Sequence, residues 1–354
     1  MRIVIVGATG NIGTSLLRAL AATEHEVVGV ARRFPEPDAL PAAEWARADS
    51  ESDDLTCLFR GADAVVHLAW LIQPSRDRAH LESVNVGGSA RLFRAVAEAG
   101  VKSVAYSSSL GAYSAGPKDD RVREDWPVGG VASSYYSRQK AAVESALDRF
   151  EPGQPDVHVV RMRPALVFKR EAATRIRRLF VGPFLAGPMV SATPVAPAIH
   201  GLRFQCVHSD DVARAFVAAI ESHERGAFNL AAEPVLEPTA IAMQLGVRPV
   251  SIPAGLARRA ASAAWHLRLT AISPDWLDLA LAAPVMNTEA ARDRLGWVPQ
   301  TSSTDALREL LDGLRWGAGG ATPPLARETS GRGRWRELAT RAGAREDVSR
   351  TCAS

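Results

Sequence analysis

The 354-residue sequence predicts an α/β fold, a doubly wound parallel sheet covered by helices on both faces, with a smaller, discontinuous subdomain beside it. Three observations predict this. The chain opens on a buried-strand run that turns through glycines into a helix. Strand-like runs then alternate with helical patterns, which is how a parallel sheet acquires helices on both sides. The alternation lapses, is resumed and lapses again, so the smaller part is assembled from separate excursions.

The first element is "RIVIVGATGNIGTSLLRAL", residues 2–20. Ile3, Val4, Ile5 and Val6 form an unbroken β-branched run, as in a strand buried on both faces. Leu16, Leu17 and Leu20 recur at helical spacing. Between them, Gly7, Gly10 and Gly13 let the backbone turn sharply, approach a pyrophosphate closely and pack helix on strand, with phosphate charge facing the helix N-terminus. The same glycines suit a purely steric turn, and this stretch alone leaves both readings open. Further strands are expected at 27–30, 64–68 and 104–106, with helical patterns near 55–59 and 90–99. A helical pattern over 134–150 leads into a strand over 157–163, which Pro164 ends.

After Phe168 the periodicity degrades into an arginine-bearing helix (Arg175, Arg177, Arg178) and a proline- and glycine-rich stretch from Gly182 to Gly201, read as a lid or ligand-side segment. "FQCVHSDDVARAFVAAIE" restores strand and helix, "GAFNLA" adds a short strand, and a last excursion runs from about Glu233 to Asn287. The expected division is a sheet domain over 1–164 and 204–232, a subdomain over 165–203 and 233–315, and a tail over 316–354. The tail is rich in Gly, Pro, Ser and Arg and is expected to be mostly disordered, with one short amphipathic turn at Trp335, Leu338, Ala339 and Ala342.

Composition is that of an ordinary globular protein, 47% hydrophobic and 23% charged. Lys+Arg 42 against Asp+Glu 39 gives a net charge of only +3, so no nucleic-acid or membrane partner is expected. Cys57, Cys206 and Cys352 are far apart, without ligand-like spacing, and read as reduced thiols. The opening apolar run is too short for a secretory segment, and no stretch approaches the roughly 20 apolar residues of a membrane span. A cytoplasmic protein is the expectation, and no metal site is expected.

The second informative stretch is "SSYYSRQKAAVESAL", residues 133–147. Only Tyr136 of its two tyrosines has a lysine four residues on, Lys140, which puts both side chains on one helix face. A neighbouring ammonium favours the phenolate and lowers a pKa near 10, making Tyr136 a candidate acid/base. A surface tyrosine beside a solvated lysine is the alternative. In "VAYSSSLGAY" a strand ends in Ser107, Ser108 and Ser109, where doubly wound sheets bind ligands and a hydroxyl can reach a ligand oxygen. A loop or cap serine is the plain alternative. Glycine turn, serine and Tyr-x-x-x-Lys in that order are a far less likely accident than any one alone.

At these residues the chain resembles the extended short-chain dehydrogenase/reductases, specifically the NAD(P)-dependent epimerase/dehydratase family, from Arg2 to about Leu314. "GATGNIG" is similar to that family's glycine motif and "DAVVHLAW" to its fourth strand. "SVNVGGSARLFRA", "RMRPALVF", "VHSDDVARAF" and "LGWVPQTSSTDALREL" resemble its later segments. The resemblance implies a Rossmann-type sheet and three catalytic residues: Tyr136 exchanging the hydroxyl proton, Lys140 holding the nicotinamide ribose and depressing the tyrosine pKa, and Ser109 polarising the reacting oxygen. It also implies cofactor contacts from Gly7, Gly10, Asn11, Ile12 and Gly13, from Asp49 at the adenine, from Leu68 and Ala69 through backbone, and from Pro164 at the nicotinamide. A small-molecule substrate and a homodimer through helices including the catalytic one are implied as well.

Two departures shape the expected function. NAD-preferring members place an acidic residue at the end of the second strand, but here it reads "VVGVARR": Ala31 lacks a carboxylate, while Arg32 and Arg33 suit a 2′-phosphate. NADP is therefore expected, with NAD as the alternative. Nucleotide-sugar members often carry an arginine before the late strand, where this chain has Phe204 with Arg203 adjacent, and Lys169 and Arg170 replace the usual Gly-Pro. His67 and His208 are expected to serve packing, and an aspartate of "HSDD" to cap a helix. The first expectation is an oxidoreductase moving hydride at a secondary alcohol or ketone carbon. The alternatives are a nucleotide-sugar epimerase or dehydratase, such as a UDP-sugar 4-epimerase, and a non-catalytic dinucleotide sensor.

Overall fold

The computed structural model describes residues 1–36, 38–41, 44–72, 76–180, 194–267, 270 and 273–326, without the side chains of 178–180. Seven parallel strands form the central sheet: β1 (Arg2–Val6), β2 (Glu26–Ala31), β3 (Glu44–Arg47), β4 (Ala64–His67), β5 (Ser103–Ser107), β6 (His158–Pro164) and β7 (Gly226–Leu230). Their order is β7-β6-β5-β4-β1-β2-β3, so the chain reverses direction across the sheet between β1 and β4. Doubly wound sheets bind ligands at such a reversal, beyond the carboxyl ends of the strands.

The unbroken apolar run of β1 reflects its central place. Ile3 and Ile5 enter the core beneath α1 (Asn11–Leu20) and α4 (Ser209–Glu221). Val4 and Val6 enter the opposite core, with α2 (Gly88–Ala99) and α3 (Tyr135–Gly153). Leu16, Leu17 and Leu20 of α1 are all buried, worth about 1.5–3 kcal/mol each. Ser134 caps α3, its hydroxyl accepting from the Ser137 amide, and this fixes where Tyr136 enters the helix.

The subdomain contains α5 (Asp275–Ala282), α6 (Ser303–Arg315) and three short parallel strand pairs. One pair joins Val195–Ile199 to Arg248–Ile252, inside the stretch read from sequence as irregular. Four of the five residues of Arg248–Ile252 are exposed, so no apolar alternation announces it. β3 was also not anticipated, being a half-exposed edge with charged ends. Residues 181–193, which hold most of the proline- and glycine-rich stretch, lie outside the described residues, as does the Arg178 side chain.

The start of the tail departs from the expected disorder. Ala318, Thr322 and Leu325 are buried, the Thr174 hydroxyl donates to the Ala318 carbonyl at 2.8 Å, and the Thr322 hydroxyl donates to the Thr9 carbonyl at 2.8 Å. These few apolar and hydrogen-bonded residues outweigh a composition that reads as unstructured. The tail beyond residue 326, with Trp335 to Ala342 and Cys352, lies outside the described residues. Among the described residues, no helix is long and apolar enough to cross a membrane.

Candidate active site

At the C-terminal edge of the sheet a cleft of about 450 Å³ runs across the chain reversal. Every residue expected to be catalytic or to touch the cofactor lines it: Gly7, Gly10, Asn11, Ile12, Gly13, Arg32, Arg33, Asp49, Leu68, Ala69, Ser109, Tyr136, Lys140 and Pro164.

The glycine turn forms its middle. Gly7 has φ +93°, and a Cβ there would lie 2.6 Å from the Ala69 amide nitrogen, so only glycine lets β1 and β4 end this close. The first turn of α1 has no side-chain cap, which leaves its amides for an anion. The turn is braced from behind by Lys169, whose buried ammonium donates to the Asn11 carbonyl (2.6 Å) and the Thr14 hydroxyl (2.5 Å). Lys169 thus ties the strand Leu166–Phe168 to α1, a role sequence reasoning missed. At one end of the cleft the Arg32 guanidinium stands 3.8 Å from Asp49, beside Arg33 and without any acidic group at Ala31.

At the other end, β5 delivers Ser109, whose Oγ accepts from the Gly111 amide at 2.9 Å, and Gly111 packs between that oxygen and the Tyr136 ring. The Tyr136 ring lies between two tryptophans, 4.9 Å from Trp276 of α5 and 6.0 Å edge-on from Trp70. Burial pushes its hydroxyl up to about 12, against the lowering effect of Ser109. This corrects the expectation that Lys140 depresses it. The Lys140 ammonium is instead engaged elsewhere, 3.5 Å over the Trp70 ring and 2.8 Å from the Ser107 carbonyl, and burial drives its own pKa well down. The direction at Tyr136 depended on two tryptophans that no local spacing pairs with it.

Below the serines lies a buried ionic cluster. Glu144 of α3 accepts from Ser108 (2.5 Å) and from Arg163 of β6 (2.8 and 3.0 Å), and Arg163 also donates to the Tyr113 hydroxyl. It fixes α3, and therefore Tyr136 and Lys140, against β5 and β6.

The remaining candidates serve structure. His67 is buried with Nε2 2.8 Å from the Ser89 hydroxyl, and burial pushes it down to about 3, so it stays neutral. His208 itself caps α4 through Nδ1, in place of an aspartate. Asp211, fully buried, accepts from the amides of Gln300 and Thr301, which joins "VHSDDVARAF" to "LGWVPQ". Arg203 lines the cleft but donates to Asp119 at 2.6 Å, and buried Gln205 is committed to the Met286 backbone. Trp70, Trp276 and Lys118 are wall residues that sequence reasoning did not assign.

With this geometry in hand, comparison places the chain among known proteins. The model of the NAD dependent epimerase/dehydratase family matches residues 3–231. An uncharacterized protein of Mycobacterium tuberculosis is 29% identical over 320 residues, covering 89% of this chain but only 30% of that protein. The chain thus spans about a third of the length of that relative. A UDP-glucose 4-epimerase of Mycolicibacterium smegmatis is 32% identical over 180 residues, 48% of this chain and 56% of the relative. Among solved structures, a UDP-glucose-4-epimerase of Stenotrophomonas maltophila with bound NAD and formylated UDP-arabinopyranose has a TM-score of 0.69 at 21% identity, covering 89% of this chain and 98% of its own. At that identity it shows a shared fold.

Proposed function

The chain belongs to the NAD dependent epimerase/dehydratase family, and from that premise we propose that it is an NADP-preferring oxidoreductase acting on a secondary alcohol or ketone. The observation that carries this is that Ser109 and Tyr136 stand together at the end of a cleft that begins at an uncapped glycine turn. The site fits a dinucleotide: the close approach at Gly7 opens a cradle that a Cβ would fill, and the α1 amides suit a pyrophosphate. Arg32 and Arg33, at a strand end with no carboxylate at position 31, suit a 2′-phosphate. Bound there, the nicotinamide would supply the hydride donor or acceptor.

The chain's own groups manage the proton. Ser109 hydrogen-bonds the substrate oxygen and holds it beside Tyr136. Tyr136, protonated at neutral pH, donates to that oxygen as a carbonyl is reduced, and takes the proton back in the oxidation direction. Lys140, one turn along the same face of α3, would turn its ammonium from the Ser107 carbonyl toward the ribose hydroxyls of a bound dinucleotide. Trp70 and Trp276 exclude water from the phenol.

The nucleotide-sugar reading draws support from the named relatives. The cleft favours it less, because Arg203, the arginine beside the expected diphosphate position, is tied to Asp119. A panel of aryl and alicyclic ketones with NADPH and NADH tests the proposal. Turnover with NADPH is expected, and Arg32→Ala with Arg33→Ala should raise KM for NADPH about tenfold or more while shifting NADH little. Equal responses to both cofactors would remove the 2′-phosphate assignment. NAD that copurifies and survives gel filtration, with no ketone turnover, would favour the epimerase.

A further inference from the structure

We infer that Lys118 anchors a carboxylate on the substrate, and that the natural substrate is an apolar alcohol or ketone carrying that acid at the end remote from the reacting carbon. This rests on the redox reading of the Tyr136 centre and extends it to the substrate's class.

Lys118 lines the same cleft from a loop that sequence reasoning left unassigned. Its ammonium is half-buried and held by two backbone carbonyls, Arg203 at 3.0 Å and Ala280 at 2.8 Å. An ammonium has three donors, so one remains for the cleft. No carboxylate among the described residues pairs with Lys118. The charge acting on it is Arg203, which repels it, and the carboxylates of Asp119 and Glu237 are engaged by Arg203. Burial and Arg203 push its pKa down to about 8. A partly desolvated cation without a counter-ion is costly, and a ligand carboxylate would relieve that cost with a charge-assisted hydrogen bond.

The wall leading from Lys118 to Tyr136 sets the rest of the ligand. α5 stacks Trp276 on the Tyr136 ring and, one turn on, presents the Ala280 carbonyl to Lys118, a rise of about 6 Å. Leu279, Ala283 and Pro284 line the same wall, Gln205 is held by the Met286 backbone, and Arg203 donates to Asp119. An apolar skeleton with one acidic end matches this wall.

The test is binding of 4′-acetylbiphenyl-4-carboxylate and its methyl ester to the cofactor-loaded protein at pH 7, followed by tryptophan fluorescence. The acid is expected to bind at least tenfold more tightly than the ester. In Lys118→Met that ratio should fall to within about threefold of one, and Lys118→Arg should restore part of it. The preference should also fade as pH rises through about 8, where Lys118 loses its charge. Equal affinities in the wild type, a preference that survives Lys118→Met, or no binding of either compound would overturn the inference. The same samples, read for turnover with NADPH, separate the two proposals. Charge-selective binding without any turnover contradicts the redox reading and leaves the anchor standing, while turnover of both compounds without charge selection contradicts the anchor alone.

Discussion

At the scale of single residues, the direction of one pKa decides how the site works. Burial between Trp70 and Trp276 holds Tyr136 up to about 12, so it is protonated through the physiological range. Reduction, which needs the proton, should show no loss of this donor between pH 6 and 9. Oxidation needs the phenolate and should rise by up to tenfold per pH unit over the same window, as kcat profiles in the two directions would show. An oxidation rate that levels off near pH 7 would mean a much lower phenol pKa. Gly111 is a second single-residue lever. A Cβ there would lie 2.8 Å from Tyr136 Cε1 and 3.3 Å from Ser109 Oγ. Gly111→Ala should therefore cut kcat more than tenfold while costing only about 1–3 kcal/mol of stability, the usual range for overpacking, measured by kinetics and urea unfolding.

At the scale of elements, the face of α3 that carries Tyr136 is set by what lies behind it. Burial pushes the Glu144 carboxyl up, but hydrogen bonds and charge from Arg163 outweigh this and leave its pKa below the ordinary carboxylate value. The pair therefore stabilises the fold at neutral pH, and that contribution is lost as pH falls through the lowered pKa. Glu144→Gln leaves Arg163 buried without its counter-ion and should cost about 3–5 kcal/mol in urea unfolding. A cost under 1 kcal/mol would show the cluster to be well solvated. Sequence made some elements legible and hid others for physical reasons. β1 announces itself by an unbroken apolar run buried on both faces, and α1 and α3 by the period that burial imposes on one face. β3 and the pair Val195–Ile199 with Arg248–Ile252 are polar or exposed, so nothing marks them. Ser109 and Tyr136 could be named because one follows the end of a strand and the other opens a helix, and Lys140 because it lies one turn from Tyr136 on the same face. Trp276 and Lys118 could not, since only the path of the two excursions carries them to the cleft.

At the scale of the whole molecule, one parallel sheet brings a glycine turn from residue 7 and a tyrosine from residue 136 to the two sides of a single chain reversal. The excursions close over the tyrosine end, and the start of the tail packs back against the glycine turn through Thr322. The residues that make the fold and those that make the chemistry are thus largely separable, and the phenol is where they can be tested apart. The most direct measurement is the turnover of Tyr136→Phe with a ketone that the wild type reduces, beside its affinity for NADPH. Loss of the hydroxyl should lower kcat by about 10²–10⁴-fold with NADPH affinity kept within a few-fold. A variant that reduces the ketone at the wild-type rate would contradict the assignment of Tyr136 as the proton donor.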